Sequence, residues 1–478
     1  MDVVQTFQTQ DAEAFRDFLA SPFFNKGTNA NVQQSLFEVI YEAASNGSLA
    51  TLEKASIHQH IYPEKPIVEG KIDKLMSEMK RLLEDFLLVR RQFKEENKPE
   101  QMLHLAAELR HLGLESRYQP VMEKVRKVAD QQTQYSLQHL FFRYAAALED
   151  HEWQCTYNQV KGNLNIPESI AHLDTYYFSR KTWLLNHLMV MQRATVLSGT
   201  SQEIESNSWV VPEVYSDQSI FLKITWKIHQ LLKNRPLEVA DFNNLLFEVQ
   251  KNESNLEQGS LSEFYSYLRN FCVILIQEGH SHMREVLHEI HRESLARGYF
   301  FFNGKLPHTS LLNIVQNALS VGKSEWATEL VEQYKDRIIG ENETRDFYRM
   351  NKALGLFGMK KYEEALDIIP FGSSNASYNQ MARRLELKIY YELHSDLLDH
   401  KIDAFKMYIS RAGRKVLPSD LHESFSNFAN FVLQLSQSEG VQAKKRSETL
   451  IKRISEKKKV AERAWLLTKA RELGGKTT

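Results

Sequence analysis

Cysteine is nearly missing from this chain. The two present in 478 residues, Cys155 and Cys272, are too few for a disulfide framework or a four-thiolate metal site. Glycine (19) and proline (11) are also sparse, which excludes collagen-like and low-complexity architectures. Long apolar runs are missing too. The longest, residues 271–276, falls far short of the roughly 18–20 residues that cross a bilayer. Neither sign of charge dominates: 60 Lys+Arg stand against 61 Asp+Glu, a net charge of −1. That balance argues against holding nucleic acid by bulk electrostatics. The first residues show no basic leader or apolar core of an export signal, so none is predicted and the cytoplasm is the expected location. No HExxH, GxSxG, GxGxxG, paired CxxC or EF-hand loop occurs, so no catalytic residue and no cofactor are expected.

What the chain does have is helical periodicity. Apolar residues make up 42%, enough for a folded core, and in almost every segment they recur at i, i+3, i+4, i+7. Residues 68–97 carry Ile72, Leu75, Met76, Met79, Leu82, Leu83, Phe86 and Leu87 on one such stripe, with charges between. Residues 217–233 carry Ile220, Ile224, Ile228, Leu231 and Leu232 in the same way. Only Trp209-Val-Val-Pro212 and Tyr299-Phe-Phe-Phe302 read as extended. The fold class is therefore all-α, with about twenty helices, some of them long (68–97, 167–198 and 441–473).

Punctuation divides the chain into an N-terminal helical module (1–98), helical hairpins that begin an array (99–198) and a polar loop (199–216). More hairpins follow (217–306), then a repetitive region (307–440) and a basic C-terminal capping helix (441–478). In the repetitive region, alanines at 327, 365, 404 and 443 are spaced 38, 39 and 39 residues apart. A small residue early in the second helix of a hairpin lets the pair approach closely. The segment Leu354-Gly-Leu-Phe-Gly-Met-Lys-Lys-Tyr-Glu-Glu-Ala-Leu-Asp-Ile-Ile369 resembles the centre of a tetratricopeptide repeat (TPR). Tyr362 and Ala365 match that family's inter-helix aromatic and small residue; Gly322 and Ala327 match its turn glycine and small residue. The period is nearer 39 than the family's ~34, the early Trp is missing, and Lys360 stands where the second unit's glycine would be. The resemblance implies an α-solenoid of stacked hairpins with a concave surface for a protein or peptide partner. The segments Phe18-Leu-Ala-Ser-Pro-Phe-Phe-Asn25 and Arg463-Ala-Trp465 are similar to those of large bacterial proteins of this build, a likeness that carries no activity.

Four groups of residues invite a chemical reading. Gly322-Lys323-Ser324 has the end of a phosphate loop but Asn317 in place of its first glycine, so it reads as helix punctuation. Glu108/His111, Glu285/His288 and the cluster of His280, His282, His288 and His291 have helical ligand spacings. Two Glu-x-x-His pairs among 17 histidines is what chance supplies, so no metal is expected. Residues 443–478 hold twelve Lys/Arg and four Glu. Lys444, Lys445, Arg446, Lys452, Arg453, Lys457, Lys458 and Lys459 form a candidate basic face, weighed against a simple soluble cap. In 68–97, seven basic residues are balanced by seven acidic ones, which is poor for a helix lying beside phosphates.

The leading expectation is thus a non-enzymatic helical-repeat scaffold that binds a protein or peptide through a concave groove. The alternative is a regulator whose N-terminal helices contact nucleic acid while the repeats sense a partner, and a helical metalloenzyme comes third. No membrane insertion is expected.

Overall fold

The periodic stripes become helices nearly everywhere they occur. The structure, a computed structural model, describes residues 2–26, 30–131, 135–157, 165–195, 209–234, 236–339, 344–412, 417–437 and 443–475. It is all-α, with 79% helix and 23 α-helices among the described residues. None of these helices is long and apolar enough to cross a membrane. Two compact units emerge: Met1–Lys181 with Glu213–Ser219, and Thr182–Pro212 with Ile220–Thr478.

The first unit opens with α1 (Asp2–Gln5), α2 (Thr9–Ala20), α3 (Ala30–Ser45), α4 (Lys54–Ile61) and α5 (Lys71–Gln92). Their stripes meet in an aromatic core. Phe15 lies edge-on to Phe37 at 4.9 Å and 5.0 Å from Phe86, rings that prefer tilted to face-on packing. Arg90 of α5 donates to Asp11 of α2 at 2.6 Å, while the other oxygen of Asp11 accepts the Gln8 backbone N–H and closes the start of α2. The chain continues through α6 (Lys98–His111), α7 (Glu115–Gln131), α8 (Leu137–Tyr157), α9 (Ile166–Thr195) and α10 (Glu213–Ser216). Tyr118 and Trp153 stack at 3.9 Å in this second core. Beside them Arg110 grips the buried Glu149 with two hydrogen bonds, 2.8 and 3.1 Å. The expected loop at 199–216 lies outside the described residues as far as 208, and its last four residues are α10.

The second unit holds α11 (Ile220–Lys233), α12 (Val239–Lys251), α13 (Gln258–Gln277), α14 (Met283–Ala296), α15 (His308–Ser320), α16 (Ser324–Tyr334), α17 (Thr344–Gly358) and α18 (Tyr362–Ile368). It ends with α19 (Ala376–Glu392), α20 (Leu398–Arg411), α21 (Ser419–Ser436), α22 (Ala443–Glu456) and α23 (Arg463–Gly475). From α11 to α21 each helix packs on the next, and α15, α17, α19, α21 and α23 also pack in series. Each therefore covers its apolar stripe with neighbours on both sides. Neither segment expected to be extended forms a strand. Among the described residues the strands are Leu306–Pro307 and Ile338–Ile339, paired in parallel, with Phe302 making only an isolated bridge to Lys305.

Ala327 and Ala365 are fully buried, and Tyr362 is half-buried with its ring 5.5 Å from Phe357. Ala404, expected to hold the same place, is exposed. The first two alanines are each the fourth residue of their helix, whereas Ala404 is the seventh of α20, whose buried stripe is Leu398, Ile402, Phe405 and Ile409. The side chain of Ala443 lies outside the described residues. Two glycines make a close helix approach instead. A Cβ at Gly358 would sit 2.6 Å from Ser324 Oγ, and one at Gly355 would collide with Thr328, so α16 and α17 meet almost backbone to side chain. The single helix expected over 441–473 is also corrected, because α22 and α23 are separate. Arg463 donates to the carbonyl oxygens of Ile454 and Ser455 at 2.9 Å and of Lys458 at 3.0 Å. That guanidinium caps the end of α22 and lets the chain reverse.

Gly355→Val and Ala365→Leu are expected to lower stability by about 2 kcal/mol or more through overpacking, while Ala404→Gln stays within about 0.5 kcal/mol. Urea midpoints of the three variants measure this, and equal losses would remove the distinction between the alanines.

Candidate partner-binding cleft

A cleft of about 650 Å³ opens in the second unit between α13, α14 and α15. Its walls follow from helix periodicity. On α13 the stripe Leu261, Phe264, Leu268, Phe271 and Leu275 goes to the core, which leaves Ser266, Asn270, Val273 and Gln277 on the face toward the cleft. On α15 the core takes Leu311, Ile314, Val315 and Ala318, which leaves Asn313, Gln316 and Ser320 for the opposite wall. The cleft is therefore faced by two rows of small polar and amide side chains, each amide both a donor and an acceptor.

Its charge is positive. The Arg269 guanidinium donates to Ser294 Oγ at 2.9 Å and lies 4.3 Å from the Phe300 ring centroid, which holds it in place by cation–π attraction. Burial brings it down to about 10, so it stays protonated at neutral pH. Among the described residues no carboxylate pairs with it, whereas Arg297 nearby is paired with Glu253. Next to it, His291 is buried and lowered to about 3, first by burial and then by the charge of Arg269, so it is neutral. His291 faces the side chain of Asn317, which donates through its amide nitrogen to the Arg284 carbonyl at 3.0 Å. A partly buried cation without a carboxylate is costly, and a carboxylate placed beside it would relieve that cost.

The other residues singled out in the sequence do not converge. His280 and His282 are exposed with rings 6.1 Å apart, whereas His288 packs edge-on to Trp326 at 4.7 Å and His291 faces Phe300. Glu285 is exposed while His288 is buried, and Glu108 and His111 are both exposed. No group of three or more His, Cys, Asp or Glu is gathered among the described residues. Gly322 takes φ +74° at the end of α15, and Ser324 begins α16, so the segment serves as a turn. On α5, Lys80 and Arg81 lie 3.7 and 2.9 Å from Glu84 and Asp85, and Arg90 is committed to Asp11.

The basic C-terminal residues are partly spoken for. Lys445, Arg446, Lys452, Arg453, Lys457, Lys458 and Lys459 are exposed, and the side chain of Lys444 lies outside the described residues. Lys459 pairs with Asp420 at 2.6 Å and Glu423 at 3.3 Å, Arg453 donates to Gln434, and Lys452 lies 3.9 Å from Glu456. A stronger network, not visible in the sequence, docks α23 on α19. Glu462 meets Lys388 at 2.8 Å and Arg384 at 3.1 Å, and Glu392 accepts from Trp465 at 2.9 Å and Lys469 at 2.8 Å. Comparison with protein-family models, curated proteins and solved structures finds no match.

Burial alone would raise the Glu462 carboxyl, but the charges of Lys388 and Arg384 outweigh it and pull it down to about 2 from an ordinary 4.5. The folded value is the lower one, so the network's stabilisation is complete above about 4.5 and is lost as pH falls toward 2. Glu462→Gln is expected to cost roughly 3 kcal/mol at neutral pH, with the gap to the parent closing as acid is added. Urea midpoints measured across that range check this, and a gap independent of pH would refute it.

Proposed function

We propose that the chain is a non-enzymatic helical-repeat scaffold, a degenerate TPR-like α-solenoid in its second unit. It binds a protein or peptide partner through the α13–α15 cleft. The observation that carries the reading is Arg269, a half-buried guanidinium without a carboxylate of its own among the described residues, set between two amide-bearing walls. An extended segment has backbone N–H and C=O groups that match Asn270, Gln277, Asn313 and Gln316. A carboxylate on that segment, from an acidic side chain or a chain terminus, then completes the ion pair that Arg269 lacks. The serial packing of α15, α17, α19 and α21 supports the solenoid reading, since it is the neighbour pattern of stacked hairpins.

The test is binding of a panel of extended peptides that differ in a single acidic position, followed by fluorescence anisotropy. Arg269→Gln is expected to weaken the best acidic peptide at least about thirtyfold, because losing a buried charge pair costs about 2 kcal/mol or more. The same substitution should leave the amide-for-acid peptide nearly unchanged. If no acidic peptide binds, or if the variant binds as well as the parent, the proposal fails.

A further inference from the structure

The first unit holds a smaller cleft, of about 300 Å³, lined by α7, α8 and the start of α9. That volume is at the lower end of the roughly 300–1,000 Å³ typical of small-molecule sites. Buried Ala129 of α7 and Ala146 and Ala147 of α8 give it an apolar floor. Charged residues three or four positions away on the same helices, and so on the same faces, surround that floor. Their charges do not cancel in place. Arg126 of α7 donates to Asp150 of α8, and Asn165 donates to the other oxygen of Asp150 at 3.3 Å, which closes that pair. Arg143 of α8 has no such partner. Its Nε is buried without a hydrogen bond, and among the described residues no carboxylate lies at ion-pair distance from it. One turn back along α8, His139 is held neutral at about 4, by burial first and by the Arg143 charge second. Glu168 of α9 meets the His172 ring at 3.6 Å. Burial and then Arg143 lower His172 from its ordinary value, against the opposite pull of Glu168 and Asp130, so this ring too is uncharged at neutral pH. Asp130 of α7 is exposed and, among the described residues, paired with no cation. One guanidinium without an anion and two carboxylates without a cation thus stand around a single imidazole.

We infer that this cleft is a binding site for a small zwitterion, a free α-amino acid, whose carboxylate is taken by Arg143 and whose ammonium is taken by Glu168 and Asp130. Ions of one sign fit less well. A phosphate would answer Arg143 but meet Asp130, Asp150 and Glu168 around the same small space. A metal ion or simple amine would answer the carboxylates and leave Arg143 desolvated and unpaired. A molecule that carries both charges serves both, through charge-assisted hydrogen bonds at each end. Its side chain then lies on the alanine floor. The site belongs to the first unit, apart from the α13–α15 cleft of the second, and it differs from that cleft in selecting an ammonium as well as a carboxylate.

Isothermal titration calorimetry of the full chain with each of the common free amino acids, taken to about 1 mM or above, is the test. At least one is expected to bind. Its N-acetyl and carboxamide derivatives, each lacking one of the two charges, should bind at least about tenfold more weakly. Arg143→Gln should weaken the free amino acid by about tenfold or more, and so should Asp130→Asn combined with Glu168→Gln. Arg269→Gln, in the other cleft, should leave this binding unchanged. Far-ultraviolet spectra of the variants should match the parent, because the Arg143 Nε makes no hydrogen bond and Asp130 and Glu168 are exposed. If no free amino acid binds, the inference is overturned. An N-acetyl derivative that binds as tightly as the free amino acid overturns the zwitterion in favour of a plain carboxylate. Binding that survives Arg143→Gln but is lost on Arg269→Gln overturns the location.

Discussion

Short helices cannot hide their own apolar faces, and this constraint governs the second unit. Helix α18 is seven residues long, well below the dozen or so at which an isolated helix becomes even marginal in water. It exists because α17 and α19 both pack on it and because Ala365, itself fully buried, lets it approach them closely. The same dependence sets how closely α16 and α17 meet, where Gly355 and Gly358 accept Thr328 and Ser324 with no room for a Cβ. Each helix is stable only as part of the series, so the loss of one close contact is felt by its neighbours. Surfaces left over from this mutual covering, such as the walls of the α13–α15 cleft, are fixed by the packing behind them.

Buried charge is used in two opposite ways within that frame. Glu462 is surrounded by Lys388 and Arg384, remains ionised, and holds α23 against α19. Arg269 is half-buried with a serine hydroxyl and an aromatic ring but, among the described residues, no carboxylate. The first arrangement is closed, because every charge has its counter-charge at hydrogen-bond distance. The second is open, and its electrostatic cost falls when a carboxylate enters the cleft. The difference lies in whether the chain itself supplies the counter-ion.

The sequence disclosed whatever depends on period alone. The stripe of α5 was legible because Ile72, Leu75, Met79, Leu82, Leu83 and Phe86 are both periodic and buried, and so was most of α11 through Ile224, Ile228, Leu231 and Leu232. Ala327 and Ala365 were legible because they begin their helices at the same step. Ala404 misled because spacing along the chain does not report where a helix starts, and α20 starts three residues earlier relative to its alanine. The break before α23 was hidden because no glycine or proline marks it. It depends on Arg463 reaching back to the carbonyls of α22 and on Glu462 taking φ +54°. The cleft was invisible for a different reason: Asn270, Gln277, Asn313 and Gln316 read as solvated helix faces until two helices turn them toward each other. On α9 the assumption that apolar residues face inward failed, since Ser169, Thr175 and Ser179 hold the inner face.

The protonation states in the cleft bear on what it can do. A general acid or base works best with a pKa near the ambient pH, so that it can both hold and release a proton. His291 is held neutral with a value of about 3, and Arg269 keeps its charge with a value of about 10. Neither changes state across the neutral range, and apart from the Arg284 guanidinium the remaining polar side chains along the walls are amides and hydroxyls. A site composed this way presents a constant field and a constant hydrogen-bonding pattern. Under the proposed reading that constant pattern meets a carboxylate and a stretch of backbone. The same fixed charge makes discrimination simple: a segment without an acidic group leaves Arg269 desolvated and unpaired, and the cost of that falls on the wrong partner.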